Sequence, residues 1–130
     1  MGMLWWWPFG RVPEVSAEQL NQMLQQTDGR PQILDVRTRM EWSGSCIHGA
    51  INVPITELSA RLATLGLDKS RPVVAICRSA HRSVPAVRLL RANGYQHAFQ
   101  LQGGMRSWWQ QALPVEGNET GAINDSASCK

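Results

Sequence analysis

Short apolar runs rich in β-branched residues alternate along this chain with segments of helical periodicity. The clearest run, Val73 to Ile76, is apolar at every position and follows Pro72, which is typical of a strand buried on both faces. Similar runs occupy residues 33–36, 50–53 and 98–101. Because parallel strands are joined by right-handed helical crossovers, this alternation predicts an α/β fold with a doubly wound, mostly parallel sheet flanked by helices.

Capping residues and apolar periodicity predict four helices between and after these runs. Ser16 and Gln19 form a capping box, and Thr56 is the expected N-cap of the second helix. Pro85 fits the first turn of the third helix, where its missing N–H costs nothing. Residues 37–49 show no clear period and are interpreted as a loop. The predicted helices cover about residues 16–28, 56–66, 83–93 and 105–112.

The length of 130 residues predicts one domain. We expect a Trp-rich arm over residues 1–13, the domain over residues 14–115, and a flexible tail over residues 116–130, where Gly, Asn, Ser, Thr and Asp dominate. A formal net charge of +3 is too mild to predict nucleic-acid binding. No stretch reaches the roughly 18 apolar residues that a transmembrane helix needs.

The arm is aromatic and uncharged at its start, with Trp5, Trp6 and Trp7 between Leu4 and Pro8. It lacks the basic lead and the small-residue cleavage site of a signal peptide. Tryptophan favours membrane interfaces, so one interpretation is peripheral contact with a membrane. The other is that the rings pack over the domain or over a partner subunit.

The three cysteines are Cys46, Cys77 and Cys129. Their odd number and their spacing match neither a disulfide framework nor a Cys-x-x-Cys zinc half-site. We therefore expect free thiols in a reducing compartment, which favours a cytoplasmic location. The three histidines are dispersed along the chain, so no metal site is predicted.

The segment from Cys77 to Ser83 lies between the predicted central strand and the third helix. A sharp turn at such a place points backbone N–H groups inward and lies against a helix N-terminus, which makes an anion site. In open parallel sheets, ligands bind beyond the carboxyl ends of the strands. The candidate residues are Cys77 as nucleophile and the loop residues Arg78, Ser79, Ala80, His81, Arg82 and Ser83.

An ordinary thiol is only about 3% ionised at neutral pH. Making the thiolate dominant needs a stabilisation of about 2.7 kcal/mol, more than the ~0.3–1 kcal/mol that a helix dipole typically supplies. N–H bonds to the sulfur, with Arg78 and Arg82 nearby, are expected to supply the rest. The alternative is that Cys77 is a small buried hydrophobe that closes a strand. Three cationic or titratable side chains in the next five residues argue against that.

The loop also resembles the active-site signature of the rhodanese family, in which Cys-Arg-Ser-Gly-x-Arg-Ser is common. Four other segments resemble family elements in the same order: Asp35-Val36-Arg37, Glu41-Trp42, Ile47 to Pro54, and Leu101 to Gly104 with Trp108. Together they cover roughly residues 14–113, and the ordered set is specific although each element alone is weak.

This resemblance implies a parallel α/β domain of about five strands. It implies that Cys77 takes the outer sulfur of a small anionic donor such as thiosulfate, becomes a persulfide, and passes the sulfur to cyanide, a thiol or a protein cysteine. It implies no metal and no organic cofactor.

Two departures from the family pattern concern the site. Ala80 stands where glycine is frequent, so a positive φ there would cost about 1–2 kcal/mol. Ser45-Cys46 replaces a frequent Gly-His, so Cys46 is either a second thiol near the site or a partly buried spectator.

Asp35 and Arg37 are the supporting candidates. Asp35 is expected to bond loop N–H groups or an arginine in a structural role. Arg37 either faces the site or forms a surface salt bridge. Trp108 is expected to be a core residue.

Two competing functions remain open. Cysteine phosphatases and arsenate reductases use a Cys-x5-Arg loop, but Ser83 occupies that arginine position here, and Arg82 comes one residue early. A shorter loop encloses a smaller cradle, which suits sulfur better than phosphate. The second competitor is a binding module that keeps the fold without catalysis. For the sulfurtransferase, Arg82→Ala is expected to weaken donor binding more than Arg78→Ala, since Arg82 lies nearer the helix start.

Overall fold

The computed structural model describes residues 12–117 and 128–129. A five-stranded, wholly parallel sheet with the strand order β1-β5-β4-β2-β3 forms its centre, which confirms the predicted α/β fold. The strands are β1 Glu14–Val15, β2 Gln32–Asp35, β3 Ile51–Asn52, β4 Val73–Ile76 and β5 Ala98–Leu101. The helices are α1 Ala17–Leu24, α2 Arg39–Gly44, α3 Ile55–Arg61, α4 Ser83–Ala92 and α5 Gly104–Gln110, and a 3-10 turn follows α3 at Leu62–Thr64.

Four strands lie on the four predicted runs, but β1 was not predicted. Glu14 and Val15 pair with Gln100 and Leu101 of β5 at the edge of the sheet. A strand of two residues has too few side chains to show a period, and its conformation depends on the partner strand.

The helix predictions are confirmed for α1, whose capping box at Ser16 is present, and for α4. The loop predicted over residues 37–49 is wrong in part, because α2 begins after Thr38. The Thr38 side chain accepts from the N–H of Glu41, and the Glu41 side chain accepts from the N–H of Thr38. This capping box is a local signal that the period analysis missed.

The predicted N-cap at Thr56 is also wrong, since α3 begins at Ile55 with Pro54 as its N-cap. The N–H of Ile55 donates to the carbonyl of Val36 at 3.1 Å. This bond to the segment after β2 fixes where the helix starts, and it involves residues far apart in the sequence.

Buried side chains form two clusters, one on each face of the sheet. Val73, Ala75 and Cys77 point to the cluster that α3 and α4 cover. Val74 and Ile76 point to the opposite cluster, which α1 and α5 cover. Because side chains alternate along a strand, Cys77 lies on the α4 side. Trp108 is buried in the opposite cluster, as a core residue.

Cys46 and Cys129 form a disulfide, so the prediction of free thiols is wrong for these two residues. Cys46 belongs to the cluster on the face opposite Cys77, which also corrects the idea of a second thiol beside the site. The pairing was not apparent from the sequence, because 83 positions separate the two cysteines. Cys77 is the free cysteine.

The end of the chain contacts the domain where the structure describes it. Glu116 pairs with Cys46, and Ser128 pairs with Ile51. The division into arm, domain and tail stays a prediction. The described part of the predicted tail is bound to the domain, through the two backbone bridges and the Cys46–Cys129 disulfide. The tryptophans of the arm lie outside the described residues. Within residues 12–117 and 128–129, every helix is too short or too polar to span a bilayer.

Candidate active site

Cys77 follows the last residue of β4, the strand that lies between β5 and β2 at the centre of the sheet. Its side chain is 1% exposed. The sulfur lies 3.5 Å from Oγ of Ser83, the first residue of α4. The thiol is therefore at the N-terminus of a ten-residue helix, where the aligned peptide dipoles favour negative charge.

The first turn of α5 is hydrogen-bonded to the backbone of Cys77 and Arg78. The N–H of Met105 donates to the Cys77 carbonyl at 2.8 Å, and that of Arg106 donates to the Arg78 carbonyl at 3.0 Å. A Cβ on Gly104 would lie 2.5 Å from the Cys77 carbonyl oxygen, and the φ of Gly104 is +61°. Only glycine fits at this approach. The segment from Leu101 to Gly104 matched a family element, but this role of Gly104 was not predicted from the sequence.

Arg82 connects the loop to α2. Its guanidinium donates to both carboxylate oxygens of Glu41, at 2.7 and 3.0 Å. The hydrogen bond from Arg82 is the main cause that lowers the pKa of Glu41 to about 2, and the same bond raises the pKa of Arg82. The sequence analysis matched Glu41 to a family motif but assigned it no role.

The other loop side chains are more exposed to solvent. Arg78 and His81 are exposed, and Nδ1 of His81 lies 3.2 Å from Oγ of Ser79. The stronger effect expected for Arg82→Ala than for Arg78→Ala stays a prediction. The structure adds that a donor anion would have to share the Arg82 guanidinium with Glu41.

A second hydrogen-bonded connection leads from the sulfur to the edge of the sheet. Ser83 Oγ donates to Gln100 Oε1 at 2.6 Å, and Gln100 Nε2 donates to Glu14 Oε2 at 2.8 Å. Sequence reasoning included Ser83 but missed Gln100 and Glu14. These residues meet only because β1 pairs with β5 and β5 pairs with β4.

Comparison with known proteins identifies the family of this chain. The profile of the rhodanese-like domain matches residues 16–111. The chain belongs to the rhodanese-like domain family. A sulfurtransferase of Allochromatium vinosum is 33% identical over 104 residues, which cover 80% of this chain and 94% of that protein. The human thiosulfate:glutathione sulfurtransferase is 31% identical over 112 residues, which cover 77% and 96% of the two chains.

Solved structures agree with these relatives. The Alr3790 protein of Anabaena superposes with a TM-score of 0.71 at 34% identity, over 79% of this chain and 81% of that one. Other relatives are longer proteins, of which this chain spans 46% to 61%. The rhodanese-like domain thus occurs in them as one part of a larger chain.

In this rhodanese-like domain, Asp35 and Arg37 form a buried ion pair at the end of β2. Both are buried, and the surface salt bridge considered for Arg37 is wrong. The Arg37 guanidinium bonds both oxygens of Asp35, at 2.7 to 3.2 Å, and also the Ser45 carbonyl. Burial raises the pKa of Asp35, and Arg37 opposes this effect. The arginine partner expected for Asp35 is confirmed, and these bonds hold the chain between β2 and α2.

Ala80 has a φ of 72°, so the strain expected for a rhodanese-like loop without glycine at this position is present. We expect Ala80→Gly to raise the free energy of unfolding by about 1 kcal/mol, because glycine adopts this φ without a Cβ clash. Urea denaturation checks this value. Ala60→Gly in α3 is the control, and it should lower stability by about 0.5–1 kcal/mol. A lower stability of Ala80→Gly would contradict the argument.

Acidification is expected to remove the stabilisation by the Glu41–Arg82 pair. Because the folded-state pKa of Glu41 lies below its usual 4.5, at about 2, the contribution is fully present above pH 4.5 and is lost as the pH falls towards 2. The pair is partly exposed, so we expect about 0.5–1 kcal/mol.

Urea unfolding of the wild type and of Glu41→Gln across this pH range measures that contribution. Glutamine can keep the capping box of α2 while it removes the charge. The difference in unfolding free energy between the two proteins should shrink as the pH falls. A difference that stays constant over the range would contradict the assignment.

Proposed function

We propose that this chain is a rhodanese-type sulfurtransferase that carries a transferable sulfur on Cys77. The observation that carries the proposal is the place of this free thiol: it is at the carboxyl end of the central strand, with its sulfur against the first residue of α4. A helix N-terminus favours both a thiolate and an incoming anion.

The proposed reaction has two steps. The Cys77 thiolate attacks the outer sulfur of thiosulfate, the sulfur–sulfur bond of thiosulfate breaks, and sulfite leaves with the bonding electron pair. The resulting persulfide is then attacked at its outer sulfur by a nucleophile, and the Cys77 thiolate leaves. Arg78 and His81 at the exposed rim would attract the anionic donor, while Ser79 and Ala80 shape the loop between them.

The acceptor is proposed to be a small thiol or a protein cysteine, with cyanide as a laboratory substitute. The human relative named as a thiosulfate:glutathione sulfurtransferase supports a thiol acceptor. Such an acceptor has to reach a sulfur that projects from a buried cysteine. A flexible, unhindered thiol suits this access better than a thiol held in a folded core.

The cytoplasm is the location proposed from the sequence, and the Cys46–Cys129 disulfide argues against it. Disulfides persist mainly in oxidising compartments. Alkylation of thiols in intact cells before lysis distinguishes a reducing cytoplasm from an oxidising compartment. If Cys46 and Cys129 still resist the reagent after denaturation and react only after reduction, the cytoplasmic proposal falls.

Mass spectrometry after exposure to thiosulfate tests the function. The intact protein is expected to gain one sulfur atom, and peptide mapping is expected to place it on Cys77. Cys77→Ser is the control and should gain none. A folded wild-type sample that gains no sulfur would favour the non-catalytic binding module. Turnover of an aryl phosphate that exceeds sulfur transfer would favour the phosphatase.

A further inference from the structure

Four side chains form a continuous row of hydrogen bonds from the buried sulfur to the surface. Cys77 Sγ lies 3.5 Å from Ser83 Oγ, Ser83 Oγ lies 2.6 Å from Gln100 Oε1, and Gln100 Nε2 lies 2.8 Å from Glu14 Oε2. Cys77, Ser83 and Gln100 are buried, whereas Glu14 is exposed at an open depression. The four residues come from the loop, α4, β5 and β1.

The direction of these hydrogen bonds follows from the chemistry at the outer end. A carboxylate only accepts hydrogen bonds, so Glu14 requires the amide nitrogen of Gln100 on its side. The amide oxygen of Gln100 then faces Ser83 and requires the serine hydroxyl as its donor. Since a hydroxyl has one proton, Ser83 presents only lone pairs to Cys77. The sulfur can complete the row only as a protonated thiol that donates to Ser83.

We propose that Glu14 and Gln100 are positioning residues that hold the Ser83 hydroxyl turned away from Cys77 and thereby favour the protonated thiol in the resting enzyme. A thiolate at Cys77 would receive no hydrogen bond from Ser83 unless the Ser83–Gln100 bond broke. Releasing the Ser83 hydroxyl from Gln100 should therefore allow Cys77 to react at a lower pH. This inference rests on the proposed function only in taking Cys77 as the reacting group.

Other charged groups lie in the loop and on the elements around Cys77. They include both positively and negatively charged side chains. Because the variants below leave all of them in place, a shift in the pH dependence of Cys77 alkylation is assigned to the row. These groups are Arg78, His81 and Arg82 in the loop, Asp35 at the end of β2, Arg37 after β2, Glu41 in α2, Arg88 in α4 and Arg106 in α5.

The test is the rate of alkylation of Cys77 by iodoacetamide as a function of pH, with the Cys46–Cys129 disulfide intact. Glu14→Ala frees the Gln100 amide to turn, and Gln100→Met removes the acceptor, so each variant releases the Ser83 proton towards the sulfur. We expect the midpoint of the pH profile to fall by about one unit, which is roughly a tenfold gain in rate below the midpoint. Gln102→Ala, in the same depression, is the matched control and should leave the midpoint unchanged.

Two comparisons distinguish a direct electrostatic effect of the Glu14 charge on Cys77 from an effect through the hydrogen-bonded row. Gln100→Met keeps that charge, and Ser83→Ala removes the hydroxyl through which the row acts. Adding Glu14→Ala to Ser83→Ala should therefore move the midpoint no further. Unchanged or higher midpoints in the two folded single variants, or a full shift in the Ser83→Ala background, would overturn the inference.

Alkylation needs no sulfur donor, so the two proposals fail separately. If the midpoint falls as expected but no persulfide forms on Cys77, the positioning row stands and the sulfurtransferase falls. If the persulfide forms but the midpoint does not move, the sulfurtransferase stands and the positioning row falls.

Discussion

Cys77→Ser is expected to abolish sulfur transfer, with a loss of at least about a thousandfold in rate. A serine hydroxyl is a poor nucleophile without a general base, and it cannot form a persulfide at this position. The fold should persist, because the side chain keeps its shape and Ser83 Oγ lies within reach as a hydrogen-bond partner. We expect the free energy of unfolding to change by less than about 1 kcal/mol.

Sulfur transfer from thiosulfate to cyanide, followed by thiocyanate release, measures this loss. Ser79→Ala is a suitable control, since it alters the same loop and keeps the sulfur. Circular dichroism and urea denaturation show that both variants are folded. A Cys77→Ser variant that retains the wild-type rate would eliminate the persulfide mechanism.

Breaking the Cys46–Cys129 disulfide is expected to lower the free energy of unfolding by about 2–4 kcal/mol. The two cysteines are 83 positions apart, so the bond closes a long loop and restricts the unfolded chain strongly. Both residues are also buried, at 0% and 2% exposure. Within the described part of the chain, the backbone pairings that Ser128 and Cys129 keep without the bond are short and involve residues 49–51.

The measurement is urea denaturation with and without a reductant, in a Cys77→Ser background that removes the third thiol. Cys129→Ser in that background is the matched control. It should match the reduced protein, and a reductant should not change its unfolding midpoint. Equal midpoints for the oxidised and reduced forms of the Cys77→Ser protein would contradict the expected stabilisation.

Much of the fold and the centre of the site could be predicted because their signals are local. The apolar run at residues 73–76 predicts a central strand by its own composition, and the Ser16 capping box predicts the start of α1 by contacts within one turn. The cysteine, the cationic residues and the helix start of the loop are contiguous in the chain. Their order alone was enough to predict a thiol at a helix N-terminus.

The long-range pairs around the loop and elsewhere in the domain depend on the tertiary structure. Arg82 meets Glu41, Gln100 meets Glu14, and Cys46 meets Cys129 across 41, 86 and 83 positions. Sequence alone predicted four of the five described strands, four of the five described helices and a cysteine at a helix start, because short-range propensity and hydrogen bonding specify them. Strand order, register and the packing of α5 decided which side chains surround the nucleophile, because these contacts form only when distant segments are brought together in one core.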